Sequence, residues 1–313
     1  MKKIKGSVSE NQFNNLTLFE LEDEFSFIEK LFNLKKLPKV LMLSGKKGTG
    51  KFTLIKHFLN FTFDKDNYDF DKKIINNQTH FYKQYSNNIF PNIIYLSGNN
   101  FNNVKVEDIR NLKATILKSS ILNRERFIIL DDVELFNLNS LNALLKIIEE
   151  PTKDNYFILI NNKTKPLIDT ISSRSLEIKI ALNNDKRIKV IESLIKQSNL
   201  EVFIDYNIFY LTPGNFIYLN KICEVYSINI NDNFLSNLKK LLDLYKKEKN
   251  ISFINKFLFL TNKYFYNLSG KKVDLLKNVE NKNFVINSIN NFVLYNLNQT
   301  SLVNAINSKL YYE

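Results

Sequence analysis

Residues 45–51, Gly-Lys-Lys-Gly-Thr-Gly-Lys, gather three of the chain's seven glycines into six positions and end on a lysine. Glycines so spaced let consecutive backbone N–H groups curl around an anion, and the lysine ammonium then reaches the outer oxygens. This is the chemistry of a phosphate-binding loop. Gly45, Lys46, Lys47, Gly48, Thr49, Gly50 and Lys51 are therefore the candidate phosphate contacts, with Phe52 and Thr53 directly behind them. A Gly-rich turn carrying surface lysines is the competing reading. The position after the lysine carries a Ser or Thr hydroxyl where such a loop holds magnesium, and Phe52 offers no oxygen there. Thr53 is a poor substitute, because one step along a helix rotates a side chain by about 100°.

A second constellation is Phe127-Ile128-Ile129-Leu130-Asp131-Asp132, an apolar run ending in two carboxylates. At the end of a buried strand, the first acid of such a pair supports a metal and the second orients water. Alone the pattern is weak, since acids also serve as helix N-caps or solvated turns, but paired with the glycine loop it gains weight.

These groups need a scaffold, and the pattern supplies one. Short apolar runs at 40–43, 93–96, 127–130, 157–160 and 176–180 alternate with helical periodicity at 51–61, 106–117 and 138–149. Strand, loop and helix in that alternation predict a parallel sheet covered by helices on both faces. Residues 64–88 are polar and weakly periodic, and read as a loop or small insertion of undetermined fold. Beyond Ile180 the strand-like runs stop. Helical spacing continues nearly to the end, interrupted by Thr212-Pro213-Gly214-Asn215 and near Ser269-Gly270. The expected organisation is an α/β domain over 1–180, a small helical domain over 181–228 and a helical C-terminal domain over 229–313.

Composition narrows the function classes. At 313 residues, with 44% hydrophobic content, the chain can bury a core without staples. No apolar run reaches the roughly 20 residues of a membrane span, and the basic start MKKIKGSVSENQF lacks the apolar segment of a secretory signal, so a cytoplasmic protein is expected. A single cysteine, Cys223, and two histidines, His57 and His80, provide no structural zinc set. The net charge of +12 suggests a polyanionic neighbour. The surfeit of Lys, Asn, Ile, Phe and Tyr beside four alanines reflects a low-GC genome and makes that charge weak support for direct DNA binding. The pairs Lys239-Lys240, Lys246-Lys247 and Lys271-Lys272, with Lys249, read as solvated helix faces. The aromatics of 257–265 read as helix core or a subunit contact rather than a stacking platform, and Tyr311-Tyr312 as a frayed end.

Further motifs make the sequence recognisable. Asn142-Ala143-Leu144-Leu145-Lys146, then Glu149-Glu150-Pro151, then Tyr156 to Asn162, then Ser173-Arg174-Ser175, preceded by Leu37-Pro38 before the first strand, resemble the AAA+ clamp-loader subunits of bacterial DNA replication. The resemblance covers residues 15–180 through its motifs and the remainder only through helical content. It implies an AAA+ P-loop domain of three layers, a helical lid and a helical C-terminal collar.

Within that family the chain departs from the motor subunits. Phe52 replaces the metal-binding hydroxyl, Asp132 stands where motors carry Glu, and the Pro213-Gly214-Asn215 helix start has no nearby arginine to act as a second sensor. Residues 64–92 also lack the four cysteines of the family's zinc module, and Ser175 replaces the cysteine of its SRC motif. Asn162 falls at the first-sensor position. Arg174 is retained. An arginine finger acts on a neighbouring subunit's nucleotide and needs no ATP chemistry in its own chain, so the resemblance implies a largely non-hydrolysing member that gives Arg174 in trans. A surface salt bridge is the alternative reading for Arg174.

The implied partners are motor subunits (gamma/tau) and a delta subunit in a hetero-pentamer, with the sliding clamp and, through the assembly, primed DNA. No membrane partner is implied, no cofactor is required, and ATP or ADP binding would be vestigial, though the chain would still count as part of the DNA polymerase III holoenzyme. A working AAA+ ATPase, a gamma/tau-like motor included, or a degenerate scaffold in another DNA-processing complex are the other readings.

Overall fold

The computed structural model describes residues 15–98, 104–118, 124–207, 210–229, 232–248, 253–269 and 275–311. Residues 1–13, Lys249, Gly270, Lys271, Lys272 and Tyr312 lie outside the described residues. The described chain falls into two compact units, one within Glu10–Ser198 and Leu211–Asn215, the other within Asn199–Tyr210 and Phe216–Glu313.

The first unit is built on a parallel sheet. Its strands are β1 (Val40–Ser44), β4 (Ile93–Ser97), β5 (Arg126–Asp131), β6 (Asn155–Asn161) and β7 (Leu176–Lys179), in the spatial order β4-β5-β6-β1-β7. The apolar runs become strands because β-branched and aromatic side chains pack well on both faces of a sheet buried between helices. The two-residue alternation divides them. Leu41, Leu43, Phe127, Ile129, Ile158 and Ile160 face one core with Phe25 and Ile28 of α1 (Glu22–Asn33) and Leu54, Ile55, Phe58 and Leu59 of α2 (Lys51–Phe63). Val40, Met42, Ile128, Leu130, Phe157 and Leu159 face the other. There they meet Ile109 and Leu112 of α4 (Val106–Ile116), Leu144 and Ile148 of α5 (Leu138–Ile148) and Ile171 of α6 (Asp169–Ser172). Truncating any fully buried Leu or Ile of these cores to Ala costs about 2–5 kcal/mol.

Register places the chemistry. Ser44 pairs with Asn161 and with Lys179, and Ser97 with Asp131, so the carboxyl ends of all five strands lie along one edge of the sheet. In an open parallel sheet the crevice outside those ends is where ligands are held.

Residues 64–88 form a folded insertion. A short hairpin, β2 (Tyr68–Asp69) and β3 (Ile74–Ile75), precedes α3 (His80–Ser86), and Tyr68, Ile75 and Phe81 join the first core. His57 is fully buried and shares a hydrogen bond with the Tyr68 hydroxyl at 3.0 Å. His80, at the start of α3, is exposed. Helix α7 (Asn184–Ser198) completes this unit.

The other unit is helical. Helices α9 (Phe234–Glu248), α10 (Phe253–Ser269), α11 (Leu275–Tyr295) and α12 (Gln299–Tyr311) pack each against the next, and α12 returns to α9. Leu238, Leu241, Phe257, Leu260, Phe265, Val285, Ile289 and Ile306 are buried, which places the aromatics at both ends of 257–265 in core. Cys223 is buried on α8 (Pro213–Val225), and Lys239, Lys240, Lys246 and Lys247 are exposed on α9. Pro213, read in the sequence as punctuation, opens α8, where its missing N–H costs nothing because a first-turn donor has no helical partner. Among the described residues no helix is long and apolar enough to cross a membrane, and no group of three or more His, Cys, Asp or Glu could hold a metal ion.

Candidate functional site

The glycine loop runs from the end of β1 to the start of α2, as its spacing predicts. Gly50 caps α2 with φ 93°, and Gly48 has φ 84°, both left-handed conformations that a side chain resists. Gly48 has a second reason to be glycine. A Cβ there would lie 2.5 Å from Thr212 Oγ1 and 2.9 Å from the Asn215 nitrogen. Segment 212–214 lies directly on the loop: Thr212 Oγ1 donates to the Lys47 carbonyl at 2.7 Å, and the Gly214 N–H donates to the Gly48 carbonyl at 2.8 Å.

Lys51 does not extend from the loop. Its ammonium is buried and donates to the carbonyls of Gly45 and Lys46, each at 2.7 Å, with Thr49 Oγ1 at 3.4 Å. Thr49 in turn donates to the Lys46 carbonyl at 3.0 Å. Burial lowers the Lys51 pKa to about 8, against the opposing pull of Asp131, Glu134 and Asp132.

Phe52, on the first turn of α2, packs edge-on against Tyr95 of β4, with ring centroids 5.7 Å apart. The Tyr95 hydroxyl donates to Asp131 Oδ2 at 2.8 Å. Asp131 Oδ1 accepts the Asp132 N–H at 2.9 Å. Burial, then the neighbouring Asp132 charge, raise the Asp131 pKa to about 6, opposed by the Tyr95 hydrogen bond. Burial first, and then Asp131, push the Tyr95 phenol well above its usual range. The position behind Lys51, where magnesium would need a hydroxyl, carries an aromatic ring with no oxygen, and each Asp131 oxygen accepts one donor from the protein. Thr53 follows on α2, half-buried.

Asp132 sits in the left-handed region, with φ 51°, and is buried. Asn162 Nδ2 donates to its Oδ1 at 2.6 Å, and Lys47 Nζ lies 3.8 Å from its Oδ2. Behind them Glu134, also buried, accepts the backbone N–H groups of Asn162 and Thr164 and the Thr164 hydroxyl, the last at 2.8 Å. A buried carboxylate with several donors is satisfied, and it fixes the loop after β6 against the end of β5.

The structure thus brings the loop, Asp131, Asp132 and Asn162 together. The partners of Arg174 lie outside that cluster. Arg174 follows α6, and its Nη1 donates to the Thr170 carbonyl at 3.0 Å while its Nη2 lies 2.8 Å from Glu149 Oε1. Sequence reasoning missed Tyr95, Glu134, Thr212 as a loop partner, and Glu149 as the partner of Arg174. Glu134, two residues past the paired acids, carried a signal in its acidity; Tyr95 and Thr212 carried none.

A family model described as "DNA polymerase III, delta subunit" matches residues 21–184. DNA polymerase III subunit delta' of Pseudomonas aeruginosa is 32% identical over 74 residues, 24% of this chain and 23% of that protein. Subunit delta' of Bacillus subtilis is 24% identical over 143 residues, 46% of this chain and 40% of that protein. Subunit gamma of Buchnera aphidicola subsp. Acyrthosiphon pisum is 26% identical over 156 residues, 50% and 42% respectively. The matched segment therefore spans less than half of each of these relatives. Among solved structures, a gamma subunit-related protein of Thermotoga maritima is 14% identical, covering 89% of this chain and 96% of that one, with a TM-score of 0.49.

Proposed function

This chain belongs to the DNA polymerase III delta-subunit family, and from that premise we propose that it is the delta' subunit of a clamp loader, a stator that does not turn over ATP itself. It would give Arg174 in trans to the ATP of a neighbouring motor subunit of the gamma/tau kind, in a cytoplasmic hetero-pentamer with a delta subunit. That assembly would place a sliding clamp on primed DNA. The observation that carries the reading is the fate of the metal position. Phe52, directly after Lys51, packs edge-on against Tyr95, and the Tyr95 phenol takes one of the Asp131 carboxylate's oxygens. Asp132, the position of the water-orienting acid, is held by Asn162 and faced by Lys47.

Arg174 keeps the opposite character, being part-exposed just past α6 and held through two of its nitrogens, one by the Thr170 carbonyl of α6 and one by Glu149 at the end of α5. A guanidinium presented at a surface can stabilise charge developing on a partner's phosphoryl group, a contribution on the order of 10³ to 10⁵ in rate for arginine fingers. The stator role needs Arg174 and leaves the loop free to become structural, and the bonds of the Lys51 ammonium to the Gly45 carbonyl and of the Gly214 N–H to the Gly48 carbonyl support that reading.

The relatives also include gamma subunits, and Lys51 with its glycines is intact, which favours a motor as the second reading. Steady-state ATP hydrolysis by the purified chain separates the two. The stator reading expects no difference between the wild type and Lys51→Ala; hydrolysis by the wild type that Lys51→Ala abolishes would establish the motor.

A further inference from the structure

Glu149 and Arg174 come from different elements, and both are anchored by one core. Glu149 ends α5, its N–H donating to the Leu145 carbonyl at 3.0 Å, directly after the buried pair Ile147 and Ile148. Arg174 stands three residues past Ile171, which is fully buried among the same side chains. Its own N–H donates to the Ile171 carbonyl at 3.2 Å, and Ser175 Oγ donates to the Ser172 carbonyl at 3.0 Å, so the turn carrying Arg174 is braced on both sides.

The backbone positions of both residues are therefore set by packing, and only side-chain torsions remain free. An exposed ion pair in general contributes under about 1 kcal/mol, because two long side chains must be immobilised. This pair is 38% and 46% exposed, so stability is a weak reason for its existence. Orientation is a stronger one. The guanidinium has five N–H donors in a rigid plane, and the structure commits one on Nη1 to the Thr170 carbonyl and sets Nη2 in an ion pair 2.8 Å from Glu149 Oε1. Two anchors on different nitrogens fix the plane and leave its remaining donors for an anion from outside.

We propose that Glu149 is a positioning residue for Arg174, holding the guanidinium in the plane and at the reach needed to meet a triphosphate on a neighbouring subunit. The proposal rests on the reading of Arg174 as a finger in trans. Misplacement of a reacting group by about 1 Å can cost on the order of a hundredfold in rate, and loss of one of two anchors should cost about tenfold.

The test uses the assembled loader with its cognate motor subunits, clamp and primed DNA, in single-turnover ATP hydrolysis at saturating ATP. The phase removed by Arg174→Ala identifies the site that this chain completes. Glu149→Gln should keep the amplitude of that phase and slow it about tenfold, Glu149→Asp should restore most of the rate, and Glu149→Gln with Arg174→Ala should match Arg174→Ala alone. Thermal unfolding of each variant should stay at the wild-type midpoint, as expected for an exposed side chain. A phase in Glu149→Gln as fast as or faster than wild type, or a double variant slower than Arg174→Ala, overturns the positioning role while leaving the finger intact. If Arg174→Ala removes no phase, the finger reading fails and takes the proposal with it.

Discussion

The Tyr95 hydroxyl donates to Asp131 Oδ2 at 2.8 Å, joining the ends of two neighbouring strands whose residues Ser97 and Asp131 stand in register. One bond accounts for two departures at once. A phenol from β4 satisfies the carboxylate that a cation would otherwise neutralise, and the ring behind that phenol gives Phe52 an aromatic partner.

Removing that hydroxyl should therefore be costly in a pH-dependent way. The Asp131 pKa lies above its ordinary value, at about 6, so the folded state binds its proton more readily than the unfolded state and stability falls as pH rises through that range. The Tyr95 bond limits the rise, and Tyr95→Phe should push the pKa higher. The variant should lose about 1–3 kcal/mol at pH 7.5 and distinctly less at pH 5, measured by urea unfolding. An equal loss at both values would remove the link to the carboxylate.

Gly214 tests the contact between the loop and segment 212–214. A Cβ at Gly214 would meet the Gly48 Cα at 2.8 Å, backbone that has little room to give. Gly214→Ala should destabilise the protein by about 1–3 kcal/mol, and Gly48→Ala by at least as much because of its positive φ. The urea midpoints of the two variants check this.

His57 should make the protein acid-sensitive. Burial, reinforced by Lys56 and Lys73, depresses its pKa to about 3. A histidine held neutral in the folded state contributes stability above its unfolded pKa of about 6.5, and that contribution declines as pH falls toward the folded value. Between pH 6.5 and pH 5 the loss is about 2 kcal/mol. His57→Phe should flatten this part of the stability profile, whatever it does to stability at pH 8.

Glu134→Ala strips the acceptor from the amides of Asn162 and Thr164 and from the Thr164 hydroxyl. Those two amides should lose hydrogen-exchange protection, and overall stability should fall by about 2–4 kcal/mol for several buried groups left unpaired. Glu134→Gln, which keeps an acceptor, should retain much of the protection.

How much of this was legible in the sequence depended on distance along the chain. The strands were readable because side chains buried on both faces leave continuous apolar runs, and the glycine loop because scarce glycines clustered at fixed spacing. Asp131 and Asp132 stood at the end of such a run, and their placement at the same edge of the sheet as Ser44 and Asn161 followed from the parallel strands. Residues 64–88 stayed opaque because two-residue strands and a seven-residue helix are too short to show a period. Tyr95 was hidden for a different reason. It lies within an apolar run where a tyrosine reads as another core residue, and its partner is 36 residues away. The bond from Thr212 to Lys47 spans 165 residues, a closeness that no local pattern encodes.

The most direct measurement is clamp-stimulated ATP hydrolysis by the assembled loader carrying Arg174→Ala in this chain, with assembly checked by gel filtration. The stator account predicts an intact assembly in which turnover at the site facing this chain falls on the order of a thousandfold. Unchanged turnover at every site, in a complex that still forms, would contradict it.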